Sequence, residues 1–252
     1  MDDDKILDVK AVPFRLLKNA WKCHPPFFRV QPHEVHVWKI PVCCFETLPK
    51  SLKTLLTDAD CAHLEMMRSE KRRREYTVSR SALKCLAGKY LHVNPQMVDV
   101  EYQPTGRPGV VSPAGKGEGL NFAWSHSHEL LIIAIAHQVL GVDIERASNF
   151  HDHPRVKAFL KRNMPHGNAD VLMLSRYWTA CEALYKLRST GTLRGFLRED
   201  VQATAASGTT FGYHLCFGDY TIAIAMHSAA TISCYSQDTD DILAQQMPDS
   251  SL

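Results

Sequence analysis

Residues 121–145 read NFAWSHSHELLIIAIAHQVLGVDIE and include the longest apolar run of the chain, Leu130–Ala136. This run has seven residues, whereas a membrane-spanning helix needs about 20, so the pattern predicts buried β-structure and no transmembrane segment. We expect residues 121–136 to form a pair of buried strands or a hairpin. A further strand is expected over residues 139–145, because that stretch is rich in β-forming residues.

A second part of the chain resembles this stretch. Residues 129–137 (ELLIIAIAH) and 219–227 (DYTIAIAMH) both contain Ile-Ala-Ile-Ala with a histidine shortly after it. The likeness indicates an internal duplication, with two α/β halves of similar plan. The alternative is that the two stretches are alike only because both are buried strands.

The segments on either side alternate between helical and β-rich patterns. Residues 103–120 hold three prolines and five glycines, so a loop is expected there. Residues 236–252 are polar and are expected to form a loose tail. Helices are expected over 58–91 (with one break), 153–164 and 169–188, and strands over 34–42, 98–102, 211–215 and 220–226.

Composition excludes several classes of protein. Of the 252 residues, 45% are hydrophobic and 22% are charged, which excludes a collagen-like chain, a long coiled coil and wholesale disorder. The net charge is only +2, so any basic function has to be local. The eight cysteines form no C-x-x-C pair, and the acidic start MDDDK is unlike an export signal. We therefore expect a cytoplasmic protein with reduced thiols.

Two carboxylates are candidates for a metal site. Asp143 and Glu145 are two residues apart in a predicted strand, so both side chains point to the same face. Carboxylates at close range repel each other, and a cation between them relieves that repulsion. Carboxylate oxygens suit Mg²⁺, with water and substrate phosphate as further ligands. The alternative is a pair of acids on a solvated strand.

A helical stripe supplies a third carboxylate and a cation. Trp178, Glu182 and Lys186 are spaced i, i+4 and i+8, so they lie on one face of a predicted helix. A Glu–Lys pair at this spacing is most often a surface salt bridge worth under about 0.5 kcal/mol. The indole on the same stripe indicates that the face is not simply solvated. Near Asp143 and Glu145, this stripe would complete a metal and phosphate site.

The segment Ser125-His126-Ser127-His128 has several readings. A zinc site lacks an evident third ligand, and a serine nucleophile lacks the surrounding G-x-S-x-G turn. A histidine beside small hydroxyl groups can instead donate to phosphate oxygens. For His128 we expect a structural role.

A basic segment over residues 68–84 is a candidate anion site. Arg73, Arg80 and Lys84 form one helical stripe beside the apolar face, where they would line the rim of a groove. Nucleic-acid binding is disfavoured by the slight net charge and the single interleaved aromatic residue. A small polyphosphate ligand would use these cations better. The turn Gly106-Arg107-Pro108 adds a cation at its tip.

Taken in order, these segments resemble one family. GRP (106–108), NFAWSHS (121–127), GVDIE (141–145) and WTACEALYK (178–186) are similar to the motifs of the surfactin-type 4′-phosphopantetheinyl transferases. SRSALK (79–84) is similar to that family's Ser-Arg-x-x-Leu-Arg helix. The resemblance runs from about residue 68 to about residue 227.

The resemblance implies an α+β fold built from two similar, pseudo-symmetric subdomains with the active site in the cleft between them. We place the N-terminal subdomain at 1–137, of which 1–57 match no family motif, the C-terminal subdomain at 138–235, and a flexible tail at 236–252. A monomer that binds neither nucleic acid nor membrane is expected.

The resemblance also implies a reaction. A serine hydroxyl of an acyl or peptidyl carrier protein attacks the β-phosphate of coenzyme A, a co-substrate, and 3′,5′-ADP leaves. Asp143, Glu145 and Glu182 would hold Mg²⁺, or Mn²⁺, on the pyrophosphate, with Glu182 or a water on the metal as the base. Lys186 and His126 would bind phosphate oxygens. The nucleotide end would be held by Ser125, Arg107, Arg80, Lys84 and Arg73.

There are two departures from the family pattern, and Cys181 is the one that keeps an alternative open. Cys181 stands where the family commonly has a lysine, and the glycines of residues 190–195 are more widely spaced than in the family's turn. The alternative is a non-catalytic relative that binds coenzyme A or a carrier protein as a regulatory module.

Overall fold

The computed structural model describes residues 6–9, 12–18, 21–25, 27–42, 50–102, 108–111, 119–151, 170–188 and 210–236. The strands are β1 (Ile6–Val9), β2 (Val12–Leu16), β3 (Glu34–Pro41), β4 (Asp99–Tyr102), β5 (Pro108–Val111), β6 (Asn121–Ser127), β7 (Leu130–Ala136), β8 (Leu140–Arg146), β9 (Phe211–Phe217), β10 (Tyr220–Met226) and β11 (Thr231–Ser236). The α-helices are α1 (Lys50–Lys53), α2 (Asp58–Met66), α3 (Glu70–Leu91) and α4 (Val171–Arg188), and Pro95–Met97 and Ala147–His151 are 3₁₀ turns.

The strands form two large sheets and one small one. One sheet has the order β11-β3-β7-β6, the other has the order β1-β2-β9-β10-β8, and β4 pairs with β5. In the first sheet β7 is antiparallel to both β3 and β6. In the second, β10 is antiparallel to both β9 and β8. Strands β6 and β8 are therefore the edges of two different sheets.

Alternation of side chains along the strands generates three apolar cores. Trp38, Ile133 and their neighbours pack one face of the four-stranded sheet against α3. Ile132 and Val142 lie in the core between the two sheets. Ala223 and its neighbours pack the far face of the five-stranded sheet against α4. The layer order is thus α3, four-stranded sheet, five-stranded sheet, α4, a mixed architecture compatible with the expected α+β class.

Most predicted elements are present. The hairpin over 121–136 is β6 and β7, and the break in the helix over 58–91 separates α2 from α3. The loop predicted over 103–120 is wrong in part, because Pro108–Val111 form β5 and pair with β4. Valines favour a strand there, and Val110 is buried. The helix predicted over 153–164 and residues 237–252 of the predicted tail lie outside the described residues. The tail is wrong at its first residue, because Ser236 pairs with Lys39 as the end of β11.

A buried polar network joins α2 to α3. Thr57 caps α2, and its side chain accepts a hydrogen bond from the backbone of Asp60. Asp60 Oδ1 in turn accepts from Tyr76 Oη at 2.6 Å and from Arg80 Nε at 2.8 Å. Both members of the Asp60–Arg80 pair are buried. Arg80 therefore stabilises the junction of the two helices.

The terminal strands cross the boundary that the sequence suggested between residues 137 and 138. Strand β2 lies parallel to β9 and so extends the sheet of the C-terminal half. Strand β11 lies parallel to β3 and so extends the sheet of the N-terminal half. Backbone hydrogen bonds thus tie each half to a terminal strand from the other.

Among the described residues, no helix combines the length and the apolar character needed to cross a bilayer.

We predict that His214 makes the fold sensitive to acid. Burial on β9 and the charge of Arg176 lower the pKa of His214 to about 3, from 6.5. Between these values the unfolded chain binds more protons, so the free energy of unfolding falls as the pH is lowered through this window. The contribution is up to about 1.4 kcal/mol per pH unit. Urea unfolding at pH 4.5 and pH 7 measures it.

His214→Leu removes the titrating group and should flatten this pH dependence. The control is His227→Leu, at an exposed position just after β10, which should keep the wild-type slope. An unchanged slope in His214→Leu would contradict the prediction.

Candidate functional site

The close approach of α4 to β8 builds the site. A Cβ atom placed on Gly141 would lie 2.0 Å from the carbonyl oxygen of Ala183 and 2.6 Å from the backbone nitrogen of Leu187. Only glycine allows α4 to pass so near to the strand. Glu182 and Lys186 of α4 thereby reach the face of β8 that carries Asp143 and Glu145.

Asp143 is the centre of the cluster. Its side chain is 2% exposed, and its Oδ1 accepts hydrogen bonds from Lys186 Nζ at 2.6 Å and from Ser125 Oγ at 2.7 Å. Lys186 Nζ also donates to Ser125 Oγ at 3.0 Å and lies 4.0 Å from Glu182 Oε2. Asp143 Oδ2 is buried without a hydrogen-bond partner. The site therefore retains an unused acceptor in its centre.

The crowding of charged groups shifts the pKa of both glutamates, Glu145 and Glu182. Burial, followed by the charge of Asp143, raises the pKa of Glu145 to about 7. Burial and the charge of Asp143 also raise the pKa of Glu182 to about 8, against a lowering effect of Lys186. The two glutamates therefore hold protons at pH values at which exposed glutamates are ionised.

Glu145 is contacted by Ser127 and Asn149, two residues to which the sequence assigned no role. Ser127 Oγ donates to Glu145 Oε2 at 3.0 Å, and the side chain of Asn149 also hydrogen-bonds this carboxylate. The period of two along β6 is a signal that could have found Ser127, because Ser125 and Ser127 share a face. Asn149 lies in the 3₁₀ turn after β8 and has no such signal in the sequence.

The other predicted site residues lie apart from the carboxylates or outside the described residues. His126 is exposed on the face of β6 opposite to Ser125. Arg73 is exposed near the start of α3, where its Nε donates to the carbonyl oxygen of Met67. Lys84 is 1% exposed, and burial lowers its pKa. Arg107 lies outside the described residues.

Three other residues that the sequence singled out are among the described residues. Cys181 is buried in the core between α4 and the five-stranded sheet, and Trp178 packs against the edge of that core. His128 is exposed in the turn between β6 and β7, with φ at 52°, and its Nδ1 lies 3.3 Å from Asn149 Nδ2.

The donor atoms are not in place around an ion-sized gap. Within the described ranges, no three His, Cys, Asp or Glu side chains are arranged to hold a metal ion. The ammonium group of Lys186 lies among these carboxylates. Glu182 and Lys186 belong to a helix, and side-chain rotation alone would change the distances between their charged groups.

We predict that Gly141→Ala separates α4 from β8. The added methyl group meets backbone atoms, which no side-chain rotation can relieve, so a loss of at least about 2 kcal/mol in the free energy of unfolding is expected. Urea unfolding measures this loss. Wild-type stability would show that the helix lies further from the strand.

We also predict that the metal-free site destabilises the fold at alkaline pH. The folded state holds more protons on Glu182 than the unfolded chain between pH 4.5 and about 8, so the free energy of unfolding falls as the pH rises through this window. Asp143, Glu145 and Lys186 are the charged groups that face Glu182. Glu182→Gln should therefore raise stability in EDTA at pH 8.5 by more than about 1 kcal/mol and much less at pH 5.

The matched control is Glu129→Gln, at an exposed position, which should change stability equally little at both pH values. A Glu182→Gln variant no more stable than wild type at pH 8.5 would refute the account of the cluster.

Comparison with known proteins adds independent information. The chain is 29% identical over 185 residues to the 4′-phosphopantetheinyl transferase HetI of a Nostoc species, and the matched part covers 70% of this chain and 77% of HetI. No family model matches the chain. The similarity agrees with the resemblance of the sequence motifs, and it supports the 4′-phosphopantetheinyl transferase family for this chain.

Proposed function

We propose that the chain transfers the 4′-phosphopantetheine group of coenzyme A to a serine of an acyl or peptidyl carrier protein and releases 3′,5′-ADP. The observation that carries the proposal is the convergence of Asp143, Glu145 and Glu182 beside Lys186 at the contact of β8 and α4. These groups suit a reaction that needs charge neutralisation and alignment more than covalent help from the protein.

The chemistry of the carboxylates fits a divalent cation. Asp143 Oδ2 is a buried acceptor without a donor, and burial together with neighbouring charge raises the pKa of Glu145 and Glu182. A cation is what such a group of acids lacks. Asp143, Glu145 and Glu182 would hold Mg²⁺, or Mn²⁺, since both accept oxygen ligands. When bound, the ion neutralises charge on the pyrophosphate.

The residues of the chain then have defined tasks. Glu182 takes the proton of the carrier serine while the serine oxygen bonds to the β-phosphorus of coenzyme A. The bond from that phosphorus to the bridging oxygen of the pyrophosphate then breaks. The electron pair of that bond leaves with 3′,5′-ADP. Lys186 exchanges its contact with Asp143 for a phosphate oxygen and stabilises the charge that develops there.

The nucleotide end of coenzyme A is assigned to the cations of α3 and its surroundings. Lys84, Arg80 and Arg73 share one stripe of this helix, and Arg107 is the remaining candidate. His126, like Lys186, is assigned to phosphate oxygens. Arg80 already binds Asp60, so its role would add to a structural one. Ser125 lies within the carboxylate cluster, which favours a contact with the pyrophosphate over one with the nucleotide.

We further propose that the two halves are pseudo-symmetric around the cleft. In chain order, β3, α3, β6 and β7 correspond to β8, α4, β9 and β10. In each set the last strand lies between the other two and is antiparallel to both. The resembling segments at 129–137 and 219–227 contain β7 and β10, the equivalent central strands.

The burial of Cys181 bears on the non-catalytic alternative. Its side chain is 0% exposed and packs among apolar residues, so the replacement of the family's lysine here leaves Asp143, Glu182 and Lys186 in mutual contact. This favours the enzyme over a module that only binds. The proposal includes a monomer. It also includes a cytoplasmic location, which the free thiols of all six described cysteines support.

We predict that Asp143→Ala abolishes transfer while the fold survives, because the central acceptor of the site is removed. The assay combines coenzyme A, Mg²⁺ and apo carrier protein, and mass spectrometry detects the gain of one phosphopantetheine by the carrier. Glu182→Gln should lose activity in the same way, whereas Arg72→Ala, at an exposed position, should retain it.

Unchanged turnover in Asp143→Ala would remove the assigned role of the cluster. No gain of mass with several apo carriers, together with measurable binding of coenzyme A, would favour the non-catalytic module instead.

A further inference from the structure

Ser127 is the last residue of β6 and lies next to the carboxylate of Glu145. Its side chain is buried, and its Oγ donates to Glu145 Oε2 at 3.0 Å. The same Oγ accepts a hydrogen bond from the backbone nitrogen of Arg146 at 3.3 Å. The hydroxyl group is thereby oriented by the backbone of β8 while it holds the side chain of the preceding residue.

The hydrogen bond from Ser127 to Glu145 is one of two serine–carboxylate hydrogen bonds between β6 and β8. Ser125 Oγ donates to Asp143 Oδ1 at 2.7 Å, and Ser125 and Ser127 are two residues apart, as Asp143 and Glu145 are. Because side chains alternate along strands, this spacing places two hydroxyl groups opposite two carboxylates. The edges of two different sheets, β6 and β8, are thus bridged at successive carboxylates.

Asn149 holds the same carboxylate from the 3₁₀ turn that follows β8. Its side chain hydrogen-bonds Glu145, and its Nδ2 lies 3.3 Å from His128 Nδ1. His128 adopts a left-handed conformation in the turn directly after Ser127. Glu145 is therefore held from β6 and from this 3₁₀ turn, and the turn after β6 contacts Asn149.

We propose that Ser127 is a positioning residue that fixes the Glu145 carboxylate for cation binding. The inference rests on the proposed function, because it takes Glu145 as one of the three metal ligands. Hydrogen bonds that orient a ligating carboxylate typically change metal affinity by about 10- to 100-fold when they are removed. Ser127 touches neither coenzyme A nor the carrier serine in this account; it acts through Glu145.

The test measures binding of Mn²⁺ alone, by electron paramagnetic resonance of the free ion, with the full chain. Ser127→Ala should raise the dissociation constant about tenfold or more, whereas Ser127→Thr, which keeps a hydroxyl group, should stay near wild type. Ser233→Ala is the matched control. Ser233 lies on β11, away from the site, and its Oγ donates to Glu34 Oε1 on β3 at 2.8 Å. This variant should leave the dissociation constant unchanged.

A double-mutant cycle tests whether Ser127 acts through Glu145. In the Glu145→Ala background, adding Ser127→Ala should cause no further loss of affinity. In transfer assays, Ser127→Ala should need more Mg²⁺ for half-maximal rate and recover most of kcat at saturating Mg²⁺. An additive loss in the cycle would overturn the proposal.

The other possible outcomes also support or overturn the proposed role of Ser127. If Ser127→Ala does not fold, Ser127→Cys retains nearly the same volume with only a weak donor and should bind Mn²⁺ more weakly than Ser127→Thr. Wild-type affinity in the folded Ser127 variants, with transfer and Mn²⁺ binding intact in the parent chain, overturns this inference alone. A parent chain that neither binds Mn²⁺ nor transfers phosphopantetheine overturns it together with the proposed function.

Discussion

The absence of a side chain at Gly141 determines the distance between α4 and β8, and the site depends on that distance. A single methyl group there would meet the backbone of Ala183 and Leu187. The close approach brings a helical glutamate and lysine to the face of a strand that carries two acids. The crowding of three acids around one lysine raises the pKa of Glu145 and of Glu182.

Both sheets support this contact. Strands β6 and β8 are the edges of separate sheets, and serine hydroxyl groups join them at the carboxylates. The terminal strands add a second restraint, because β2 extends one sheet and β11 extends the other. The two sheets are thus joined at the carboxylates, and each is extended by a strand from the other end of the chain.

Sequence patterns predicted the local elements and the acidic cluster better than they predicted the surroundings. Periodicity gave β7 and α3, because an unbroken apolar run and a 3.6-residue repeat are local signals. The spacing of Asp143 and Glu145 gave their common face. The pairing of β2 with β9 joins residues about 200 positions apart, and the capture of Arg80 by Asp60 depends on how α2 packs. Neither leaves a local trace in the sequence.

The central claim is that Asp143, Glu145 and Glu182 hold one divalent ion. The most direct measurement is an anomalous difference map from crystals grown with Mn²⁺ and coenzyme A. The account predicts one strong peak bonded to oxygens of all three carboxylates, with Lys186 moved towards a phosphate group. A map with no peak at the contact of α4 and β8, or with the ion bound away from these three side chains, would contradict it.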